Sequence, residues 1–291
     1  MGATFVVTLR EAFEAALILG IVYTYLDRVG ARQHYGYATV GGTLGVVASV
    51  LAGVAVSFLS GPLLDLGPDL IATAVIFVAV VLLTWHGWWM RQHARAIKGD
   101  VQRRIDEARA TRRLWVIGVI AFTGVFREGA ETVLFLWGLL SQATSMSGAG
   151  AIAGGVLGVA TAAALGWMIF HGGTRLSLPR FFAVTSVLLL LISAGLASSG
   201  VGKLQGLGFL PSGTPVWDTS GVLADDSVVG TFMAGLIGYR ARPTAFEVGA
   251  YLVYLIVAGL LFFGNTLRPP RSRPSSTDAR RDKPTQVLTG V

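Results

Sequence analysis

The sequence predicts an all-α, polytopic membrane protein with seven transmembrane helices, built as two inverted three-helix repeats plus one extra helix. The first observation is composition: 53% of the 291 residues are hydrophobic and only 13% are charged, which is too apolar for a soluble domain of this length. The second is that the apolar residues are gathered in blocks. The third is that one charged motif occurs twice, each time inside such a block.

Seven apolar blocks predict the seven spans, because each is close to the ~20 residues that a helix needs to cross a bilayer. They lie at 4–26, 37–60, 70–90, 114–140, 149–171, 181–201 and 245–267. We therefore expect residues 1–267 to form one transmembrane domain. Residues 268–291, rich in Pro, Ser, Arg and Asp, are expected to be a disordered cytoplasmic tail.

Basic residues alternate between the links and predict the orientation. The segment 91–113 carries eight Arg or Lys residues and the tail after 267 carries six, whereas 61–69 and 141–148 carry none. By the positive-inside rule the N-terminus lies outside the cell membrane and the C-terminus in the cytoplasm. The net charge of +7 is explained by these links, so no nucleic-acid partner is expected. The chain has no cysteine, which excludes disulfides and thiolate metal sites.

An internal repeat supports this topology. Residues 10–14 and 127–131 both read Arg-Glu-x-x-Glu, in spans 1 and 4. Spans 2 and 5 share a ladder of small residues, a pattern that lets helix backbones approach closely. The ladder residues are Gly41, Gly45, Ser49 and Gly53, and Gly150, Gly154, Gly158, Ala162 and Gly166. Three spans per unit make the second unit inverted, so the repeat units are about 1–90 and 114–201, with 245–267 as the extra helix.

The two motifs predict a shared anionic site. Residues three or four apart lie on one helix face, so each motif presents two carboxylates and one guanidinium together. Charge inside hydrocarbon costs about 2.5–3.5 kcal/mol per residue, so we expect the two motifs to face each other or a wet path. Together they leave a formal surplus of two negative charges, which would bind a hard cation or take up protons. The predicted metal ligands are Glu11, Glu14, Glu128 and Glu131, with Arg10 and Arg127 in support.

At this point the chain resembles a known family. Paired Arg-Glu-x-x-Glu motifs in spans 1 and 4 of a seven-span chain look like the iron permeases of the oxidase-dependent iron transporter family, most closely its bacterial EfeU-type branch. Further stretches that look like the family are Trp89-Met90-Arg91, the run from Phe181 to Ser186, and the run from Gly238 to Pro243. One short motif would be weak support, whereas two at matching places in a repeat are strong.

The resemblance implies a permease that imports iron as Fe(III), with the motif glutamates as ligands. Because the chain has no cysteine and no obvious cofactor site, it is expected to have no cofactor and not to be an enzyme. It also implies an extracytoplasmic iron-binding protein and a haem peroxidase or other ferroxidase as partners. One departure concerns these partners. Residues 202–206 read Gly-Lys-Leu-Gln-Gly, where related permeases often carry a His-Glu-Leu-Gln-Glu-like string.

Four other polar residues have two interpretations each. Glu247 follows Thr244 at capping-box spacing, which favours a structural role over a gate. Asp225 and Asp226, in an external loop at 202–244, could gather cations, but caps and turns explain them as well. His86, in span 3 beside three tryptophans, is interpreted as a hydrogen-bonded interface residue and not a metal ligand, because no second histidine is suitably spaced.

The sequence leaves three alternatives to iron import. The transported ion could be another cation such as lead or manganese. The chain could be an intramembrane carboxylate–metal enzyme, although the Glu-x-x-His ligands typical of di-iron proteins do not occur. Finally, the motifs could be two structural ion pairs that lock the helices of a scaffold.

Overall fold

The computed structural model describes the backbone of residues 1–65, 68–142, 148–170 and 177–263, and the side chains of 1–58, 69–90, 99–140, 149–169 and 177–262. These residues form eight α-helices and one 3₁₀ turn, and their only bridge of strand type joins Pro215 to Thr244. The predicted disordered tail, 268–291, lies outside the described residues. The helices are α1 (Gly2–Arg28), α2 (Tyr35–Asp65), α3 (Pro68–Ala110), α4 (Trp115–Gln142), α5 (Gly148–Phe170), α6 (Leu178–Gly206), α7 (Val228–Ile237) and α8 (Ala245–Phe263).

Over the described residues, each of the seven predicted blocks overlaps one of the long helices. Within the described residues, five helices are long and apolar enough to cross a membrane: Arg32–Phe58, Asp69–Met90, Ala149–Ile169, Leu178–Gly206 and Ala245–Phe262. Helices α1 and α4 have 27 and 28 residues, but the charged motifs in their middle lower their hydropathy. The chain is a multi-pass, all-helical membrane protein.

Helix α3 is longer than predicted. The basic segment 91–113 is expected to be a link after span 3, but the helix continues to Ala110. Val101 and Ile105 of this extension are buried in one apolar cluster with Leu26 of α1 and Ile117 of α4. Apolar residues at helical spacing bury one face of the extension, while Arg103 and Arg104 are exposed on another. The number of Arg and Lys residues in this segment indicates its side of the membrane but does not reveal the amphipathic pattern.

The predicted external loop at 202–244 is also partly helical. Helix α6 continues to Gly206, and the short helix α7 begins after Ser227, whose Oγ accepts a hydrogen bond from the Gly230 backbone N–H at 2.9 Å. Helix α7 ends at Gly238, which has a φ of 71°, a left-handed conformation that glycine adopts without strain. Gly238 lies directly against Gly195 of α6, so α7 is anchored to the membrane domain.

The small-residue ladders lie in helix contacts, as predicted. Helix α2 packs chiefly on α4, and α5 packs chiefly on α1. A Cβ on Gly45 would lie 3.0 Å from both the Phe122 carbonyl oxygen and the Val125 Cβ. A Cβ on Gly158 would lie 2.8 Å from the Leu9 backbone nitrogen. The two ladders thus draw apolar helices against the outer faces of α1 and α4, which contact each other.

Candidate metal centre

Helix α1 carries the first motif into the interior. Arg10, Glu11 and Glu14 are 2%, 0% and 3% exposed. The intervening Phe13 points to a different neighbour, with its ring 4.4 Å from that of Phe181. The helical period therefore divides the motif, since the aromatic residue packs against α6 while the charged residues turn toward the centre of the bundle.

Helix α4 brings a third carboxylate to the same place. Glu128 is 1% exposed, and a carboxylate oxygen of Glu11, Glu14 and Glu128 and a ring nitrogen of His86 all lie within 4.8 Å of one another. Three of the four predicted ligands are thus brought together. Glu131, the fourth, is outside this group of atoms and lies on the far side of His86.

In the first motif the arginine pairs with its own glutamates, as the spacing predicts. Arg10 Nε lies 3.1 Å from Glu14 Oε1, and Arg10 Nη1 lies 3.4 Å from Glu11 Oε1. All three side chains are buried, so solvent screens the attraction between the arginine and its two glutamates only weakly.

The second motif repeats these pairs in a different environment. Arg127 Nη2 lies 3.1 Å from Glu128 Oε1, and Arg127 Nε lies 3.3 Å from Glu131 Oε1. The Arg127 and Glu131 side chains are 41% and 23% exposed, and the guanidinium is 4.8 Å from the centre of the Trp89 ring. They border a cavity of about 290 Å³ between α3 and α4, so Arg127 and Glu131 are open to this cavity, whereas Glu128 and the first motif are buried.

The arginines do not satisfy the carboxylates. One oxygen of each central carboxylate has no hydrogen-bond partner in the described part of the chain: Glu11 Oε2, Glu14 Oε2 and Glu128 Oε2. A buried charge without partners is strongly unfavourable. The arrangement can therefore hold a cation, which would supply the missing partner to several oxygens at once.

His86, interpreted from the sequence as a hydrogen-bonded interface residue, lies inside the bundle beside the motif glutamates. Its side chain is 6% exposed, with Nε2 at 3.7 Å from Glu11 Oε2 and 3.8 Å from Glu14 Oε2. Its Nδ1 contacts the Glu131 carboxylate. A signal was available, because an ionisable residue inside an apolar span is functional by default. The spacing of histidines does not reveal this position, because the neighbouring groups are carboxylates from other helices.

Glu247 forms the predicted capping box. Its Oε2 accepts a hydrogen bond from the Thr244 backbone N–H at 2.8 Å, and its own N–H donates to Thr244 Oγ1 at 3.3 Å. Its Oε1 also lies 2.8 Å from Arg240 Nη1. Glu247 is 4% exposed and is fully engaged in this arrangement, away from the central cluster.

The acidic residues of the 207–244 segment have mainly structural contacts. Asp225 is exposed and accepts a hydrogen bond from the Ala241 backbone N–H at 2.8 Å, and the neighbouring Asp226 is also exposed. Asp218 is held by Ser220 and Arg242, and these hydrogen bonds lower its pKa to about 2. Asp225 and Asp226 lie in the turn before α7, in keeping with the structural interpretation, and neither they nor Asp218 belong to the metal-ligand cluster found among the described residues.

A bundle of apolar helices around a buried group of carboxylates defines a class, the polytopic membrane proteins with an ionisable site inside the membrane. Comparison with known proteins supplies the particular family. The chain belongs to the iron permease FTR1 family, whose model matches residues 1–268.

Individual relatives extend over nearly the whole chain. It is 34% identical over 286 residues to the ferrous iron permease EfeU of Yersinia pestis, covering 97% of this chain and 99% of the relative. It is 33% identical over 275 residues to the protein of the same name from Escherichia coli O6:H1, covering 94% and 97%. No solved structure matches this chain significantly. The predicted family is thus confirmed.

Proposed function

We propose that this protein imports iron across the cell membrane through the buried site between α1 and α4. Glu11, Glu14, Glu128 and Glu131 bind the ion, and Arg10 and Arg127 offset part of their charge. The observation that carries the proposal is the convergence of three carboxylates, each at most 3% exposed, and each with an oxygen that lacks a hydrogen-bond partner among the described residues. Membership of an iron permease family supports iron as the cargo.

The charge balance favours a transport site over a structural ion-pair network. The two motifs contribute four carboxylates and two guanidiniums, so pairing within them leaves two negative charges. The attraction within a buried ion-pair network offsets the cost of desolvation only when the geometry is good and the hydrogen bonds are satisfied. The oxygens without hydrogen-bond partners do not meet that condition. A transported cation satisfies them only transiently, which suits a site that must also release its ion.

The proposed transport domain comprises residues 1–267, with all seven long helices crossing the membrane. Helices α1 and α4 carry charge, but their apolar neighbours α5 and α2 pack along them, which shields the motifs from lipid. The second helix of each repeat unit packs on the first helix of the other unit, since α2 contacts α4 and α5 contacts α1. This reciprocal packing supports an inverted repeat with units of about 1–90 and 114–201. Sites at such repeat interfaces lie near the bilayer midplane.

The oxidation state has two candidates. Fe(III) is the ion that the family resemblance implies and that oxygen-only ligation favours. Fe(II) is the ion in the printed name of the relatives. Uptake into proteoliposomes, measured with Fe(III), Fe(II), Mn(II) and Pb(II) side by side, separates these candidates and tests the other cations.

The decisive variants are Glu11→Gln, Glu14→Gln and Glu128→Gln, which keep size but each remove one negative charge. Each is expected to abolish most iron uptake while the protein still folds. Glu107→Gln is a matched control, because Glu107 is an exposed residue on the extension of α3. Glutamate variants that transport iron at the parental rate would exclude the proposal. An extracytoplasmic iron-binding protein and a ferroxidase remain predicted partners.

A further inference from the structure

We propose that His86 is a ligand of the transported ion through Nε2, and that Glu131 orients this histidine and does not bind the ion itself. The inference rests on the proposed transport function and changes its ligand set. The site then consists of three carboxylates and one imidazole. Such a site suits Fe(II), a first-row divalent cation, better than it suits a hard ion that prefers ligation by oxygen alone.

The position of Nε2 is the first observation. It is the atom through which His86 approaches both Glu11 and Glu14, at 3.7 and 3.8 Å. These distances are too long for hydrogen bonds, and Nε2 has no hydrogen-bond partner among the described residues. A nitrogen and an oxygen that bind one ion at about 2.0–2.2 Å lie roughly 3–4.4 Å apart, so gaps of 3.7 and 3.8 Å leave room for a shared ion. His86 belongs to the cluster of potential ligands by the same geometry.

The other ring nitrogen is the second observation. Nδ1 of His86 contacts Oε2 of Glu131, and Oε1 of Glu131 lies 3.3 Å from Arg127 Nε. A ligating histidine almost always donates its second N–H to a carboxylate or carbonyl, which fixes the tautomer and leaves the first nitrogen's lone pair for the metal. The chain of contacts from Arg127 through Glu131 to His86 has this form. Glu131 is thereby a positioning residue.

The asymmetry between the two motifs is the third observation. Glu14 and Glu131 occupy equivalent places in the sequence repeat, but Glu14 lies inside the ligand cluster and Glu131 outside it. His86 of α3 occupies the space between Glu131 and the cluster. The repeat therefore supplies four glutamates, of which three are ligands and Glu131 is a positioning residue.

A nitrogen ligand also changes ion selectivity. Carboxylate and carbonyl oxygens suit Mg²⁺, Ca²⁺ and Mn²⁺, whereas imidazole suits iron, copper, nickel and zinc. Mg²⁺ is far more abundant than free iron in most environments, so a site made only of carboxylates needs a further source of discrimination. His86 provides it at the point where the ion is bound.

The test is pulsed electron paramagnetic resonance of the purified full chain loaded with Fe(II) and treated with nitric oxide. Nitrogen coupling from a ring ligand is expected in the parent, and it should change when histidine is supplied with ¹⁵N. It should vanish in His86→Asn and persist in His34→Asn, the matched control on the 3₁₀ turn. A variant lacking His34, His93 and His171 keeps only His86 and should retain the coupling, which assigns the ligand even where His86→Asn folds poorly.

Affinity and selectivity give a second readout. His86→Asn is expected to lower the Fe(II)-to-Mg(II) affinity ratio at least about tenfold, whereas Glu131→Gln should weaken Fe(II) binding by about 10–100-fold and keep the nitrogen coupling. Parental coupling in His86→Asn, no coupling in the parent, or loss of coupling only in Glu131→Gln would overturn the inference. A parent that binds Fe(III) but not Fe(II) overturns it too, while leaving iron transport standing. A parent that binds neither form overturns the proposed function itself.

Discussion

Ser49 of α2 lies directly against Gly129, the central residue of the second Arg-Glu-x-x-Glu motif. A Cβ at Gly129 would overlap the Ser49 hydroxyl, which is itself buried and donates to the Gly45 carbonyl at 2.8 Å. The motif thus has two faces. Its glutamates turn to the centre of the bundle, and its glycine admits the neighbouring helix that closes the outside.

This contact predicts that Gly129→Ala destabilises the protein by about 1–3 kcal/mol, the usual cost of adding atoms to a packed interface. The comparison is Gly249→Ala in α8, where a Cβ would meet nothing within 4 Å, and where alanine favours the helix by about 1 kcal/mol. Thermal unfolding in detergent measures both. Equal unfolding temperatures for the two variants would show that the contact is not close.

The two motif arginines are predicted to differ in their effect on stability. Arg10→Gln leaves carboxylates unpaired in a closed interior and is expected to cost about 3–5 kcal/mol. Arg127→Gln is expected to cost clearly less, because its side chain is 41% exposed against 2% for Arg10. The measurement is the unfolding temperature of the metal-free variants. Equal losses would contradict the difference in environment on which the prediction depends.

Removing a charge from the central cluster is predicted to leave the empty protein as stable as before, or more so. Glu14→Gln relieves repulsion in a buried cluster where each carboxylate keeps an oxygen without a hydrogen-bond partner among the described residues. Glu247→Gln provides the contrast, since Glu247 has an ion pair and a capping role; it should lose about 0.5–2 kcal/mol and keep its iron uptake. Unfolding temperature and uptake, measured on both variants, separate transport residues from structural ones. A Glu14→Gln protein that unfolds readily would favour a scaffold.

The orientation is predicted with the α3 extension in the cytoplasm and the 207–244 segment outside. The chain has no cysteine, so a single introduced thiol is the only one that can react. In intact cells Asp226→Cys should react with an impermeant thiol reagent, and Arg104→Cys should react only after permeabilisation; both positions are exposed. Labelling of Arg104→Cys in intact cells would reverse the topology.

Much of the fold follows from local patterns. The apolar blocks located every long helix because spanning a bilayer demands a minimum run of apolar residues. The ladders located the contacts of α2 and α5 because small residues are where helix backbones meet. The extension of α3 and the helix α7 were missed, since a count of charges or of polar residues says little about a short amphipathic or capped helix.

In the site, too, some contacts follow from local sequence and others from packing between distant segments. Arg10 with Glu11 and Glu14, and Arg127 with Glu128 and Glu131, are pairs set by helical spacing, so the sequence by itself determined them. The place of His86 was decided only by the tertiary structure, because it depends on how α3 packs between α1 and α4. The separation of Glu131 from Glu14 was decided in the same way. Identical motifs specify identical local geometry, but the neighbours that bury one and open the other come from distant parts of the chain.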